Sequence, residues 1–232
     1  IAKTPADILM AHARSRNASQ TSAILAMEGA DFLDEDITRV QAAYDAGVRM
    51  LTLVHYHNNS LGDIITDSHL ERGLTKFGKA VVREMNRLGM MIDLAHASEQ
   101  TALGAINVST KPLILSHTHF NTPALSHPRF ISKALALAVA NKGGIIGAWP
   151  AGIGIETLDE FIDRIEALID LVGEDHVVLG SDMDANYKPV FDNYRQLPWV
   201  VGGLKQKGYS DERIAKFIGG NFLRVMSNVQ GK

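Results

Sequence analysis

The chain has 232 residues, of which 46% are hydrophobic and 21% are charged, and it carries a formal net charge of -3 at pH 7. This length suits one large α/β core or two small domains, and the weak acidic balance excludes the clustered basic surface that nucleic-acid binding requires. The absence of cysteine excludes disulfides, thiolate-bound zinc, iron–sulfur clusters and a thiol nucleophile, so any metal must be held by histidine and carboxylate groups.

Apolar runs bounded by turn residues alternate with amphipathic stretches along the chain. Residues 1–20 are predicted to form a helix that ends in a polar loop. The predicted strands cover residues 23–28, 49–55, 90–96, 112–117, 144–149 and 177–182. Such short, unbroken apolar runs are typical of strands buried on both faces of a parallel sheet.

Helices are predicted between several of these strands from apolar residues at helical spacing. The glycines that end these helices are Gly47, Gly89, the pair Gly143 and Gly144, and Gly173. Thr157 and Glu160 form a capping box that starts the helix before the last strand. Two further helices are predicted over residues 195–207 and 210–226.

The succession of strand, helix, glycine and strand favours one parallel barrel or doubly wound sheet over two domains. A closed barrel needs eight strands, whereas six are predicted in this sequence. Helices follow the last strand, so the C-terminal end looks complete. We therefore expect one or two strands to precede Ile1.

Five predicted strands end on a residue suited to metal binding or proton transfer. These residues are Glu28, His55, His96, His117 and Asp182. Active residues of a parallel barrel lie where the strands end, so the pattern predicts one shared site built to hold a metal. Each residue alone has a simpler interpretation, since Glu28 could be a solvated strand end, His55 a buried histidine bonded to a carbonyl, and Asp182 the cap of a turn.

Five motifs occur in a set order along the chain. They are LTLVHYHNNSLGD, GLTKFGKAVVREMNRLGMMIDLAHAS, PLILSHTH, VVLGSDMD and GGNFLRV. Together they resemble the membrane (renal-type) dipeptidases, the M19 metallopeptidases of the amidohydrolase superfamily. The resemblance implies an α/β fold, a (β/α)8 TIM-type barrel, here lacking its first one or two strands. Residues 1–232 would then form a single, N-terminally incomplete catalytic domain.

The resemblance also implies a two-zinc site. It assigns the carboxylate that bridges the metals to Glu28, and two imidazole ligands of one zinc to His96 and His117. The family carries a His-x-Asp pair at the end of its first strand for the second zinc, and none of the nine histidines here has Asp two residues later. We therefore expect Zn²⁺ on Glu28, His96 and His117, with Mn²⁺, Co²⁺ or Fe²⁺ as substitutes, and an incomplete second site.

The remaining assignments concern the substrate and the proton. The resemblance gives His55 a catalytic role in contact with the substrate, and it makes Asp182 the residue that transfers the proton. Arg129 in the motif HPRF resembles the arginine that binds the substrate carboxylate, although its distance along the chain from the metal histidine departs slightly from the family pattern.

The sequence thus predicts a zinc-dependent dipeptidase that hydrolyses the amide bond of short peptides through a metal-bound hydroxide. Two alternatives are open. One is an amidohydrolase acting on another amide, such as an N-acyl amino acid or a lactam, because a metal core does not dictate the substrate pocket. The other is a catalytically inactive family member that has lost its first-strand ligands.

Location and partners are less constrained by the sequence. No apolar run approaches the roughly 20 residues that a membrane helix needs, and the first residues lack the apolar core and cleavage site of a secretory signal. We expect no membrane segment in this chain and favour a cytoplasmic location, with any N-terminal signal outside these residues. Short peptides are the expected partners, nucleic acid is not, and a homodimer is left open.

Overall fold

The computed structural model describes residues 1–15, 21–67, 72–183 and 187–231. The chain divides into two compact units, Ile1–Leu113 with Leu223–Lys232, and Ile114–Phe222. Residues 16–20, at the end of the segment predicted as a helix with a polar loop, lie outside the described residues. The prediction of one domain over the whole chain stays a prediction.

The first unit alternates helices with parallel strands. Its elements are α1 (Pro5–Ser15), β1 (Leu25–Glu28), α2 (Thr38–Asp45), β2 (Val48–Thr52), α3 (Lys76–Leu88), β3 (Met91–Asp93) and α4 (Glu99–Val108). Strand β1 pairs with β2, and β2 pairs with β3. The side chains of Leu51 in β2 and Ile92 in β3 are almost fully buried, as expected where helices cover a parallel sheet.

The second unit repeats this alternation. Its elements are β4 (Ile114–Thr118), α5 (Lys133–Asn141), β5 (Ile145–Ala148), α6 (Leu158–Val172), β6 (Val177–Leu179), α7 (Leu197–Gln206), α8 (Asp211–Ala215) and the start of α9 (Asn221–Gln230). Strand β4 pairs in parallel with β5, and β5 with β6. The α/β prediction is therefore confirmed within each unit. None of the helices in the described ranges is long and apolar enough to cross a bilayer.

The capping box that the sequence predicted starts α6. The Thr157 hydroxyl accepts from Glu160 N, while Glu160 Oε2 accepts from Thr157 N at 2.9 Å, so the predicted capping box is confirmed. Backbone amides of Glu156 and Thr157 hold the pKa of the Glu160 carboxyl below its usual value. Gly89 ends α3 with a left-handed φ of 75°, as a helix C-terminus favours.

The strands are shorter than predicted at the ends where the candidate residues lie. His55, His96 and Asp182 each lie three residues beyond the last residue of β2, β3 and β6. His96 and Asp182 have positive φ, which a strand excludes. Periodicity alone could not show this, because an apolar residue that follows a strand into a buried turn keeps the same pattern.

The final predicted helix is also interrupted. A wide turn at Lys216–Gly220 separates α8 from α9 around the non-helical Gly219. In addition, α4 was not predicted. Its N-cap Ser98 accepts from Thr101 N, so a capping signal was present in the sequence.

Two glycines allow the strands of the second unit to approach one backbone group closely. A Cβ atom at Gly147 in β5, or at Gly180 just after β6, would collide with the carbonyl oxygen of Ser116 in β4. These positions therefore require glycine for close packing rather than for a turn. The close approach of Gly147 and Gly180 to Ser116 thereby fixes the backbone next to His117.

The second unit also buries a histidine and an arginine. His119 packs against Phe120 and Phe130, with ring centroids 4.7 and 5.4 Å away. Burial, and secondarily the nearby Arg164 guanidinium, lower the pKa of His119 to about 3. Arg164 donates to Ile153 O at 2.7 Å, and burial lowers its pKa to about 10. At neutral pH this cluster holds a neutral imidazole beside a charged guanidinium.

The capping box gives a first testable prediction. Thr157→Ala should lower the free energy of unfolding by about 1 kcal/mol, because it removes the oxygen that accepts the Glu160 amide at the start of α6. Thr157 is exposed, so packing should not change. Thr157→Ser keeps the oxygen and is the matched control in urea denaturation. Equal losses in the two variants would contradict a capping role.

The buried histidine gives a second prediction. The pKa of His119 is lower in the folded chain than its usual 6.5, so the unfolded chain binds more protons below pH 6.5, and stability falls as pH falls from 6.5 toward 3. This contribution can reach about 1.4 kcal/mol per pH unit. His119→Phe should make the loss of stability between pH 6.5 and 4 less steep, as measured by denaturant unfolding at several pH values.

Phe120→Leu is the matched control, because it alters the same aromatic cluster without changing a titratable group. It should shift the free energy of unfolding by a similar amount at every pH. If His119→Phe left the pH dependence of wild type unchanged, protonation of the buried imidazole would not contribute to acid unfolding.

Candidate active site

The first unit brings Glu28, His55 and His96 together. Glu28 is the last residue of β1, and the two histidines lie in the turns after β2 and β3. His96 Nε2 lies 2.9 Å from Glu28 Oε1, and His55 Nε2 lies 3.6 Å from Glu28 Oε2. The two imidazole rings meet edge to face with centroids 4.5 Å apart. Two imidazoles and one carboxylate therefore converge at the carboxyl ends of the strands.

The contact between His96 and Glu28 fixes the position of a proton. An ionised carboxylate only accepts hydrogen bonds, so while Glu28 is ionised, His96 Nε2 is the donor to Glu28 Oε1. A metal ion would need the lone pair of this nitrogen. Metal binding through His96 Nε2 would therefore release a proton and depend on pH.

The backbone is strained at two of the candidate residues. His96 has φ 67° in the first unit, and Asp182 has φ 46° in the second. The left-handed region costs a non-glycine residue roughly 1–2 kcal/mol, and such strain clusters at functional sites. Gly29, next to Glu28, has φ 93°, and a Cβ there would lie 3.2 Å from His55 Cβ. Glycine at this position lets the His55 side chain pack against the end of β1.

One further side chain contacts this cluster, and two others nearby in the sequence contact each other. Tyr56 stacks on the His55 ring with centroids 3.8 Å apart, and it is 76% exposed. His57 Nε2 lies 2.9 Å from Asp31 Oδ1. Tyr56 was not predicted as a site residue, although its place directly after His55 was a usable signal.

The second unit groups another set of candidate residues around His117. Its Nε2 atom lies 3.2 Å from an Arg129 Nη2 atom, and its Nδ1 atom lies 2.9 Å from Ser116 Oγ. A guanidinium only donates, so Nε2 accepts and, in the neutral imidazole, Nδ1 carries the proton and donates to Ser116. Arg129 therefore occupies the lone pair through which His117 could bind a metal.

Asp182 and Trp149 complete this second group. Asp182 Oδ2 lies 3.9 Å from His117 Nε2, and the Asp182 side chain is 15% exposed. The Arg129 guanidinium lies over the Trp149 ring, 5.3 Å from its centroid. Trp149 follows the end of β5 directly, so the same strand-end rule that selected the histidines could have found it.

The donors of the first unit fit a zinc ion. Two ligand atoms about 2.1 Å from a tetrahedral zinc lie about 3.4 Å apart, and Glu28 meets the two histidines at 2.9 and 3.6 Å. One ligand atom from each of Glu28, His55 and His96 lies within 4.8 Å of the others. Nitrogen and oxygen donors without thiolate suit zinc. The predicted ligand set of Glu28, His96 and His117 draws on both units and stays a prediction.

Known proteins place this chain in one family. The model of the membrane dipeptidase family, peptidase family M19, matches residues 1–232. The dipeptidase verJ of Clonostachys rogersoniana is 31% identical over 237 residues, an alignment that takes in 99% of this chain and 60% of that protein. The chain thus spans about three fifths of the length of that relative.

Two solved structures share the fold. The dipeptidase AC, a metallo peptidase of family M19, matches with a TM-score of 0.90 and 24% identity over 100% of this chain and 69% of its own. A metallo peptidase from Rhodobacter sphaeroides, liganded with a phosphinate mimic of the dipeptide L-Ala-D-Ala, matches with a TM-score of 0.89 and 24% identity over 98% and 68%. These matches confirm the predicted α/β fold of the TIM-barrel type. The family model, which matches all 232 residues, shows that the chain belongs to peptidase family M19, the membrane dipeptidase family.

Proposed function

We propose that the protein is a zinc-dependent dipeptidase that hydrolyses the amide bond of short peptides. The observation that carries the proposal is the convergence of Glu28, His55 and His96 at the ends of three neighbouring strands, in a chain of family M19. The dipeptide mimic bound to the Rhodobacter sphaeroides neighbour supports a dipeptide substrate.

Glu28 and His96 would hold the metal, and the family resemblance adds His117 as a further ligand. A bridging role for Glu28 and a second zinc are proposals that rest on the same resemblance. When bound, zinc polarises the scissile carbonyl and makes a water molecule acidic enough to act as nucleophile near neutral pH. The proton on His96 Nε2 would leave as the metal binds.

Two residues would act on the reacting atoms. Asp182 would accept the proton of the attacking water and deliver it to the leaving amine. Its side chain is largely buried, which keeps this carboxylate in a fixed place. His55 would contact the substrate rather than the metal, as the family resemblance implies, and would donate a hydrogen bond to the carbonyl oxygen as negative charge develops there.

Arg129 would bind the free C-terminal carboxylate of the substrate. A planar guanidinium can hold a carboxylate through two parallel hydrogen bonds, and the Trp149 ring beneath it restricts its orientation. The same side chain donates to His117 Nε2 in the described structure. If His117 serves as a metal ligand, Arg129 would direct this donor to the substrate carboxylate instead.

These proposed roles predict that some substitutions lower both zinc content and turnover, whereas another lowers turnover alone. His96→Ala and His117→Ala should lower both zinc content and hydrolysis, because each removes a proposed ligand. Asp182→Asn should keep most of the zinc and lower kcat by about 10²–10⁴-fold, because only proton transfer is lost. Metal analysis and dipeptide hydrolysis on the same preparations measure both quantities.

Asp159→Asn is the control for Asp182→Asn, because it removes an exposed carboxylate in α6 of the same unit. It should change neither zinc content nor kcat. Near wild-type turnover in Asp182→Asn would reject that residue as the proton acceptor, and wild-type zinc content in both histidine variants would reject the proposed ligands.

Carboxylate recognition by Arg129 predicts discrimination between free and amidated dipeptides. Amidation removes the negative charge and one acceptor oxygen, so kcat/KM should fall by about tenfold to hundredfold. Arg129→Lys should lose most of this discrimination, since an ammonium cannot reproduce the planar pair of donors. Arg195→Lys, at an exposed arginine of the same unit, should retain it. Equal kcat/KM for the two substrates on wild-type protein would rule out this role.

A further inference from the structure

The three strands of the first unit end in a single row of neighbouring residues. Glu28, Thr52 and Asp93 are the last residues of β1, β2 and β3. They are also register partners, since Glu28 lies opposite Thr52 and Thr52 lies opposite Asp93. Thr52 and Asp93 are buried, with 2% and 1% of their surface exposed. The row therefore begins at the proposed metal carboxylate and continues into the protein interior.

The buried end of this row is tied together by hydrogen bonds. The Thr52 hydroxyl donates to Asp93 Oδ2 at 2.7 Å, and Ala95 N donates to Asp93 Oδ1 at 3.0 Å. The backbone adds a further link, because Leu53 N donates to Asp93 O at 3.2 Å. One carboxylate thus joins the end of β2 to the first turn after β3.

This turn leads directly to His96. Ala97 N donates to Leu94 O at 3.1 Å, which closes the turn around the left-handed His96, and Ile65 N donates to His96 O at 2.7 Å. This conformation is uncommon for any residue with a Cβ atom, so the surrounding hydrogen bonds are needed to hold His96 in it. The result is that His96 Nε2 points at Glu28 Oε1, 2.9 Å away.

We propose that Asp93 is a positioning residue that holds the His96 imidazole against the Glu28 carboxylate. It acts through the turn and through Thr52, and it does not touch the reacting atoms. Its effect on zinc rests on the proposed function, whereas its effect on the His96 ring does not. His55 follows Thr52 by the same three residues by which His96 follows Asp93, so one hydrogen bond sets both histidine-bearing turns.

The two oxygens of the Asp93 side chain are what this arrangement needs. Burying a carboxylate is costly unless it is well hydrogen-bonded, and a neutral side chain would end the strand at lower cost. A carboxylate, however, offers two acceptor oxygens, one for the Thr52 hydroxyl and one for the Ala95 amide. An asparagine offers one acceptor oxygen and one NH₂ group, so it can keep both contacts only if the Thr52 hydroxyl stops donating and turns to accept from the amide.

The test compares Asp93→Asn and Thr52→Val with Ser109→Ala. Ser109 is also buried in the first unit, and its hydroxyl bonds to Asn86 Oδ1 and Lys111 O at 3.1 and 2.8 Å. Ser109→Ala therefore removes buried hydrogen bonds away from the candidate site. The measurements are the imidazole ¹⁵N shifts of His96 in metal-free protein, the zinc dissociation constant by chelator competition, and the thermal midpoint.

Asp93→Asn should move the His96 ¹⁵N shifts and weaken zinc binding by about tenfold to hundredfold, the range found when a group that orients a ligand is removed. Thr52→Val should act in the same direction with a smaller effect. The double variant should bind zinc no more weakly than Asp93→Asn, since both changes break the same bond. Ser109→Ala should lower only the thermal midpoint.

The proposal is overturned if Asp93→Asn and Thr52→Val lower the thermal midpoint while the His96 shifts and zinc affinity stay at wild-type values. Should Asp93→Asn fail to fold, Thr52→Val decides alone. A wild-type protein that binds no zinc would refute the proposed function. The His96 shifts would still show whether Asp93 positions the ring.

Discussion

A carboxylate inside a protein must have its oxygens bonded, and Asp93 meets this requirement with a hydroxyl from the neighbouring strand and an amide two residues further on. Both partners have to be at hydrogen-bonding distance at once, so the ends of β2 and β3 cannot slide relative to each other. That constraint positions His55 and His96, because both histidines follow these strand ends in short turns. Buried residues beneath the candidate site therefore determine its geometry. No substrate could reach these residues.

Both proposed metal-binding histidines are already engaged through the nitrogen that would bind the ion. In the first unit, His96 Nε2 holds a proton shared with Glu28. In the second unit, His117 Nε2 accepts from Arg129. Such contacts hold each ring in one orientation, so little rotamer entropy would be lost on metal binding. They also make a metal compete with a proton at one histidine and with a guanidinium at the other.

Much of this arrangement could be predicted from local sequence. Glu28, His96 and Asp182 stood out because each follows an apolar run, and the capping box at Thr157 was visible in four consecutive residues. The hydrogen bond from Thr52 to Asp93 could not be predicted, because the two residues are far apart in the sequence and Asp93 lies within an apolar run. A single sequence carries no signal for a partner in the next strand. The turn around His96 was missed for a related reason, since its conformation is imposed by hydrogen bonds from distant residues.

The left-handed backbone at His96 and Asp182 has a consequence for engineering this protein. Glycine adopts that conformation without steric cost, so a substitution to glycine at either position would relieve strain while deleting a side chain proposed to work in the active site. Screens that select on thermal tolerance alone would therefore favour changes at these positions that remove function. A search for a more stable variant has to leave His96 and Asp182 unchanged and introduce stabilising substitutions elsewhere in the chain.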